Sequence, residues 1–413
     1  MARPQGLKCV LCGREFDPCS MVYTCPACGP DGTLDVLYDL VDARKRINRN
    51  TLAADTRPSL WRYEEILPVE KVSSIPDLSV GWSPLYSSPS LSAKYGVGEV
   101  FVKDDGRNPT GSLKDRASAV GVAKAADLGQ GIISCASTGN AASSLSGFAA
   151  VAGLKSVIFV PQSAPVAKVA QLLVYGSTVI LVKGDYAQTF DLASVAIEKW
   201  GWYNRNCAIN PFLVEGKKTC AMEIAEQLRW DLPDVVFVPV GDGCIISGIF
   251  KGFLDLKELG ITERIPKIVG VQAEGASPLA EAFEKGLQRV CFGPAETVAD
   301  SISVGAPRNW AKALRAVRKS GGEMVRVSDK EILDSIPELA RETGVFAEPA
   351  GATSFAGFRK MAIQGVVGPR DRIALVVTGN GLKDIPSARK AVGDPIEVEP
   401  ELRDLEKVLG LNV

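Results

Sequence analysis

The chain has 413 residues, 46% of them hydrophobic, enough for one large core or for two to three domains. Its 47 Lys and Arg stand against 48 Asp and Glu, a balance that points away from nucleic acid and anionic membranes as main partners. It contains no histidine, which excludes Ser-His-Asp and Cys-His catalysis, His-ligated metals and imidazole proton shuttles, and leaves acid–base chemistry to Lys, Asp, Glu, Tyr, Cys or a cofactor.

The N-terminus "MARPQGLKC" lacks an apolar secretory core. No run approaches the roughly 18 apolar residues of a membrane span. A soluble, cytoplasmic protein is therefore expected. Residues 9–29 read "CVLCGREFDPCSMVYTCPACG". Cys9 and Cys12 form one CxxC pair, Cys25 and Cys28 a second, and Cys19 is spare between them. Each pair turns tightly enough for two thiolates to share an ion, and two such knuckles close a tetrahedron around zinc. The alternatives are reduced thiols, or two disulfides in a secreted protein; the missing signal argues against disulfides. Four cysteine ligands leave no open position, so the zinc would be structural. "ARKRINR" at 43–49 adds positive charge, but acids are nearly as numerous over the first fifty residues and aromatics are not interleaved. Residues 1–50 read as a four-cysteine zinc ribbon with linker, for stabilisation or docking. Residues 51–97 read as a connecting arm, in which "TRPSLWRYEEILPV" is a short helical stretch with Pro near both ends.

From about residue 98 strands and helices alternate. "GEVFVKDD" is a strand, followed by a Gly/Pro loop and a helix from 113 to about 127. "GIISCAS" is the next strand, then "TGN" and the helical "AASSLSGFAAVAGL". The pattern continues through "SVIFVP", "STVILVKG", "DVVFVPVGDG" and "KIVGVQAEG" to "DRIALVVTGNG". Such alternation predicts a mostly parallel sheet covered on both faces. Ligands in such folds sit where the strands end and the loops gather. Residues 391–413 are left as a C-terminal tail.

Four loops each follow directly on a strand, which would bring them to one edge. In "RNPTGSLKDRAS" (107–118) Lys114 stands near a helix N-terminus, where partial positive charge favours the free amine. Such an amine can form a Schiff base with a carbonyl. In "STGN" (137–140) small hydroxyl residues and Gly leave backbone N–H groups bare at a helix start, suited to a carboxylate, and Asn140 adds an amide donor. "PVGDGCIISG" (239–248) is a phosphate cradle, with Gly241 and Gly243 allowing close backbone approach and Asp242 an odd neighbour for an anion. "VVTGNGLKD" (376–384) puts the Thr378 hydroxyl at a strand end, where it could bond a ring nitrogen. A helix lysine, an N-cap or a Gly-rich turn is commonplace alone. Reactive lysine, carboxylate loop, phosphate cradle and neutral hydroxyl together describe a pyridoxal phosphate site.

These motifs resemble those of the threonine synthases, within the tryptophan synthase β-type (fold type II) pyridoxal phosphate enzymes. "NPTGSLKDRAS", "STGNAA" and "TGNGLKD" resemble the family's lysine, Gly-Asn and C-terminal motifs, and "NPFLVEGKKT" (210–219), "TVADSISVGAPRNW" (297–310) and "EPAGA" (348–352) resemble further synthase segments. The likeness spans roughly 80–390 and extends to the Cys ribbon. It implies two doubly wound parallel-sheet domains with the active site between them, in a catalytic α/β region over 98–390 whose smaller subdomain is inserted at about 130–215. It implies that Lys114 holds the cofactor as a Schiff base, Asn140 bonds the 3′-oxygen, Gly241, Asp242, Gly243, Cys244 and Ile245 hold the phosphate, and Thr378 faces the pyridine nitrogen. Ser137, Thr138 and Gly139 would hold a substrate carboxylate. The implied reaction takes O-phospho-L-homoserine and water to L-threonine and phosphate, with Lys114 moving protons at Cα and Cβ. A homodimer acting on a small amino-acid substrate is also implied.

Two departures stand out. The phosphate loop reads "GDGCI" where relatives read closer to Gly-Asn-x-Gly-Asn, and Leu213 stands where many relatives carry an Arg. Lys217, Lys218 and Arg308 are candidates to replace that charge. The departures leave open a cysteate synthase-like or serine/threonine dehydratase-like enzyme. A cofactor-free binding protein and a dinucleotide dehydrogenase are more distant alternatives.

Overall fold

The computed structural model describes residues 4–410 except Met21 and Pro165. The first three residues of the expected ribbon and the last three of the expected tail lie outside the described residues. Three sheets organise the chain. The first is antiparallel, in the order β2-β1-β3, from β1 (Gly6–Cys9), β2 (Glu15–Phe16) and β3 (Leu34–Leu37). It is too small to bury a core alone. Leu7, Cys9, Cys25, Leu34 and Val36 are closed off by Phe212 of the catalytic region. The ribbon thus packs on its own chain. Asp35 bridges to Lys312 and Arg315 at 3.1 and 2.6 Å, and Trp310 donates its indole N–H to Asp31 at 3.2 Å. Burial alone would raise the Asp35 pKa, but those two cations win and hold the carboxyl well below the usual range.

The helical stretch of the connecting arm, Leu60–Ile66, is of the 3₁₀ type and kinked at Tyr63. Leu60, Tyr63 and Ile66 recur every third position and are fully buried, the period that a 3₁₀ turn aligns on one side, and Trp61 beside them is buried as well.

The large sheet runs β12-β11-β10-β13-β5-β4. It comprises β4 (Leu85–Ser87), β5 (Glu99–Asp104), β10 (Val235–Pro239), β11 (Lys267–Ala273), β12 (Met324–Val327) and β13 (Arg372–Val377). All neighbours are parallel except β4 with β5. Alternate residues feed two cores: Val236, Val238, Ala374 and Val376 pack on one face, and Val235, Phe237, Ile373 and Leu375 on the other. That two-residue period is why these strands read as unbroken apolar runs. The small sheet, also parallel, runs β8-β7-β6-β9 from β6 (Ile132–Ala136), β7 (Lys155–Pro161), β8 (Thr178–Val182) and β9 (Tyr203–Asn204).

Three helices join the sheets: Lys114–Asp127, Phe212–Gln227 and Cys244–Glu258. The middle one lies against both others with almost no side-chain spacer. A Cβ on Gly216 would come within 2.0 Å of the Arg116 carbonyl oxygen, and one on Gly252 within 2.2 Å of the Lys218 carbonyl oxygen. Beside this crossing runs a buried ionic network. Arg116 contacts Asp105 at 2.6 Å and Glu223 at 2.5 Å, and Lys103 meets Glu223 at 2.7 Å. Among the described residues no helix is long and apolar enough to cross a membrane.

Candidate active site

Lys114 is the first residue of its helix and is held from both sides. Upstream, Gly111 adopts φ 83°, and its carbonyl accepts the Asn380 N–H at 3.0 Å, while Leu113 N–H donates to Thr378 O at 2.9 Å. Downstream, the Asp115 carboxylate accepts the Thr110 N–H at 2.7 Å and the Thr110 hydroxyl at 2.5 Å, and Arg116 is locked in the ionic network. The lysine itself is left half-buried in the wall of a cavity of about 600 Å³ between the two parallel sheets. Burial first, and then the charge of Lys217, lower its pKa from 10.5 to about 8.

The cavity collects loops that leave the carboxyl ends of β6, β9 and β10, together with residues 300–306 and Arg308. Of the residues singled out in the sequence, Ser137, Thr138, Gly139, Asn140, Lys217, Gly241, Asp242, Gly243, Cys244, Ile245 and Arg308 line it with Lys114. Two long helices, Asn140–Val151 and Cys244–Glu258, begin at this wall. Their N-caps are Gly139 and Gly243, and neither end is capped by a side chain. The loop before Cys244 is tightly hemmed in. Gly243 has φ 87° and a Cβ there would lie 2.7 Å from the Ala313 Cβ; a Cβ on Gly241 would lie 3.0 Å from the Ile302 Cα. A glycine-bounded, uncapped helix end is a ready anion seat. Asp242 does not spoil it: its carboxylate turns to the Arg308 N–H at 3.2 Å, and burial raises its pKa, against the opposing pull of Arg308. An amine of lowered pKa and a bare helix end in one cavity form a donor set that fits pyridoxal phosphate.

Other expected residues sit differently. Thr378 is buried at the end of β13, beside Lys114 through the backbone hydrogen bond from Leu113, but does not line the cavity. Asn140 lines it, with its amide N–H groups turned to the Glu348 carboxylate at 2.8 and 3.0 Å. Glu348 and Lys383 line an adjoining compartment of about 400 Å³ that shares Thr138, Gly139 and Asn140. Leu213 is fully buried against the lysine helix, where a Cβ on Gly121 would come within 2.4 Å of its Cδ2. It spaces two helices and does not line the cavity. Lys218 is likewise removed, fully buried between Glu215 and Asp255 at 2.7 Å from each.

Sequence reasoning did not single out Glu348, Arg205 or Cys207 as site residues. Glu348 lies in the noted segment "EPAGA", which was a usable signal. Arg205 and Cys207 follow the two-residue strand β9 in an irregular segment, and nothing local marks them.

The second site is the ribbon. The sulfurs of Cys9, Cys12, Cys25 and Cys28 all lie within 4.8 Å of one another, with Cys12 and Cys25 at 3.7 Å. Four thiolates about 2.3 Å from one tetrahedral ion stand about 3.8 Å apart, so this arrangement fits a metal. Gly13 and Gly29 end the two knuckles at φ 75° and 63°, a conformation that suits glycine. Cys19 is exposed and apart from the cluster.

The family model for pyridoxal-phosphate dependent enzymes matches residues 77–379. The chain is 40% identical over 404 residues to a threonine synthase from Methanocaldococcus jannaschii, covering 97% of this chain and 98% of that protein. It is 39% identical over 406 residues to a threonine synthase from Methanosarcina acetivorans, covering 98% of each. Among solved structures it is similar to threonine deaminase isoform 2 from Solanum lycopersicum, with a TM-score of 0.65 and 23% identity, covering 75% of this chain and 83% of that one. That likeness speaks to the fold.

Proposed function

The chain belongs to the pyridoxal-phosphate dependent enzymes, and on that premise we propose that it is a threonine synthase, a lyase of amino-acid biosynthesis that converts O-phospho-L-homoserine and water to L-threonine and phosphate. The observation that carries the reading is similarity to threonine synthases over nearly the whole chain.

In this reading Lys114 binds the cofactor's carbonyl, and the backbone of Gly241–Ile245 holds its phosphate. Asn140 would serve the ring oxygen, and Thr378, which does not line the cavity as it stands, would serve the ring nitrogen as a neutral partner suited to elimination and replacement. When bound, pyridoxal phosphate supplies an electron sink that acidifies the carbons beside the substrate's amino group. The chain's own residues do the rest. Ser137, Thr138 and Gly139 hold the substrate carboxylate at the uncapped start of the Asn140 helix. Lys114, with a pKa of about 8, is poised near neutrality to take protons from Cα and Cβ; as phosphate leaves Cγ, protons return to Cγ and Cα while water adds at Cβ. Lys217 and Arg308 supply positive charge to the substrate side. Arg308 stacks on Phe190 with its guanidinium 4.0 Å from the ring centre, which fixes its plane while leaving its N–H groups available.

Zinc in the four-cysteine cluster belongs to the same reading, as a structural ion, as do a homodimeric assembly and a cytoplasmic setting. The test is to add O-phospho-L-homoserine to cofactor-loaded protein and follow phosphate and threonine together by mass spectrometry. Equal amounts of both are expected. A change in the cofactor's spectrum without threonine would assign the site to another amino acid.

A further inference from the structure

Among the described residues, buried cations are matched to carboxylates with two exceptions in the cavity wall. Arg116, Lys103 and Lys218 are fully buried, and each has a carboxylate within 2.7 Å. Arg205 and Lys217 are as deeply buried, each 1% exposed, and both line the cavity. Neither has a carboxylate partner among the described residues. Arg205 donates from Nε and Nη2 to the Ser118 hydroxyl at 3.3 and 2.9 Å. Among the described residues Lys217 donates only to the Cys207 sulfur. A charge held out of water without a counter-charge is costly. Both residues line a cavity open to ligand, so the missing counter-charge is one that arrives.

Its place is defined by its neighbours. Cys207 and Cys244 line the same wall, and Cys244 opens the helix whose bare N-terminus forms the phosphate cradle. The second anion seat therefore adjoins the first. Leu213, which stands where many relatives carry an Arg, is turned away into the packing of two helices. Lys217 stands one turn further along the same helix, and Arg205 reaches in from the segment after β9. The Cys207 sulfur, in contact with Lys217, behaves as a stand-in anion: the Cys244 thiol beside it, and then the charges of Lys217 and Arg205, pull it well below the ordinary thiol range against the effect of burial.

We propose that Arg205 and Lys217 form a second phosphate seat beside the cofactor cradle, which receives the substrate's phosphate ester and holds the departing phosphate, and that the Cys207 sulfur partners these cations only while the seat is empty. The identity of the ligand rests on the threonine synthase reading; the charge and place of the seat do not. Arg205 binds through a planar pair of N–H groups and Lys217 through a point charge, a combination suited to a tetrahedral dianion.

The seat can be read through the reactivity of Cys207. The cofactor-loaded full chain is alkylated with iodoacetamide, with and without inorganic phosphate, chloride holding the ionic strength constant. Peptide mass spectrometry then follows Cys207 separately from the other cysteines. Phosphate is expected to slow modification of Cys207 by at least about tenfold, the effect of occupying a site of charge-assisted hydrogen bonds. Arg205→Gln and Lys217→Gln should abolish that protection, and Arg205→Lys should restore part of it. If these variants fail to take up cofactor, the wild-type comparison still decides. Absence of protection in the loaded protein overturns the proposal. So does complete protection by cofactor alone, with phosphate shielding Cys207 only in cofactor-free protein, because the two cations would then belong to the cofactor's own phosphate. Threonine formation is measured in the same preparations. Turnover without phosphate protection removes the seat and leaves the enzyme reading; protection without turnover leaves the seat and removes that reading.

Discussion

Replacing Gly216 by Ala tests how the fold positions the chemistry. The new Cβ would lie 2.0 Å from the Arg116 oxygen, 2.6 Å from its carbonyl carbon and 3.1 Å from the Ala117 nitrogen. Ordinary contact begins near 3.4 Å, so the two helices must part by about 1.4 Å at this point. All three obstructing atoms are backbone and cannot rotate aside. Overpacking of a core typically costs about 1–3 kcal/mol, and the better helix propensity of Ala returns at most about 1 kcal/mol. With backbone against backbone the upper end applies, giving a net loss of about 2 kcal/mol or more. The displacement also reaches the cavity. Lys114 lies two residues before Arg116, and Lys217 follows Gly216 directly, so parting the helices separates the amine from a charge that lowers its pKa. The assay is thermal unfolding by circular dichroism together with titration of pyridoxal phosphate. The variant should melt several degrees lower and bind cofactor more weakly. Gly131→Ala is the control, since nothing lies within 4 Å of its added Cβ. Equal melting temperature and equal cofactor affinity in wild type and Gly216→Ala would refute the reasoning.

Lys114→Ala should stay folded by far-UV circular dichroism but lose the visible absorbance of bound cofactor; unchanged absorbance would remove Lys114 from its assigned role. In cofactor-free protein, reaction of Lys114 with an amine reagent should rise with pH through about 8, not 10.5. The unfolded chain keeps that proton up to the ordinary value, so this group's contribution to stability increases as pH climbs from about 8 to 10.5. Arg116→Met should cost about 3–5 kcal/mol in urea unfolding, because it leaves Asp105 and Glu223 buried and undercompensated. Stripping metal from the cysteine cluster should lower the melting temperature and expose Phe212 and the Asp35–Lys312 contact to solvent; a melting curve indifferent to a strong chelator would argue against an ion there.

The features legible in the sequence are those whose physics is local. Parallel strands buried on both faces must be nearly continuous apolar runs, so β5, β6, β7, β10, β11 and β13 announce themselves. Two CxxC pairs can converge on one ion because each turn is made within four residues. Gly241 and Gly243 can be recognised because a backbone that approaches an anion has no room for a Cβ. What the tertiary structure alone decided concerns direction. Lys217 and Lys218 are adjacent, yet one faces the cavity and the other sits between Glu215 and Asp255. Successive helical residues point about 100° apart, and the rotation of this helix is set by backbone contacts at Gly216 and Gly252 with partners about a hundred and about thirty residues away in sequence. The same rotation sends Leu213 into the packing against Gly121. Arg205 and Cys207 come to the cavity on an irregular segment with no periodicity to read, so only the meeting of the two sheets reveals what they face.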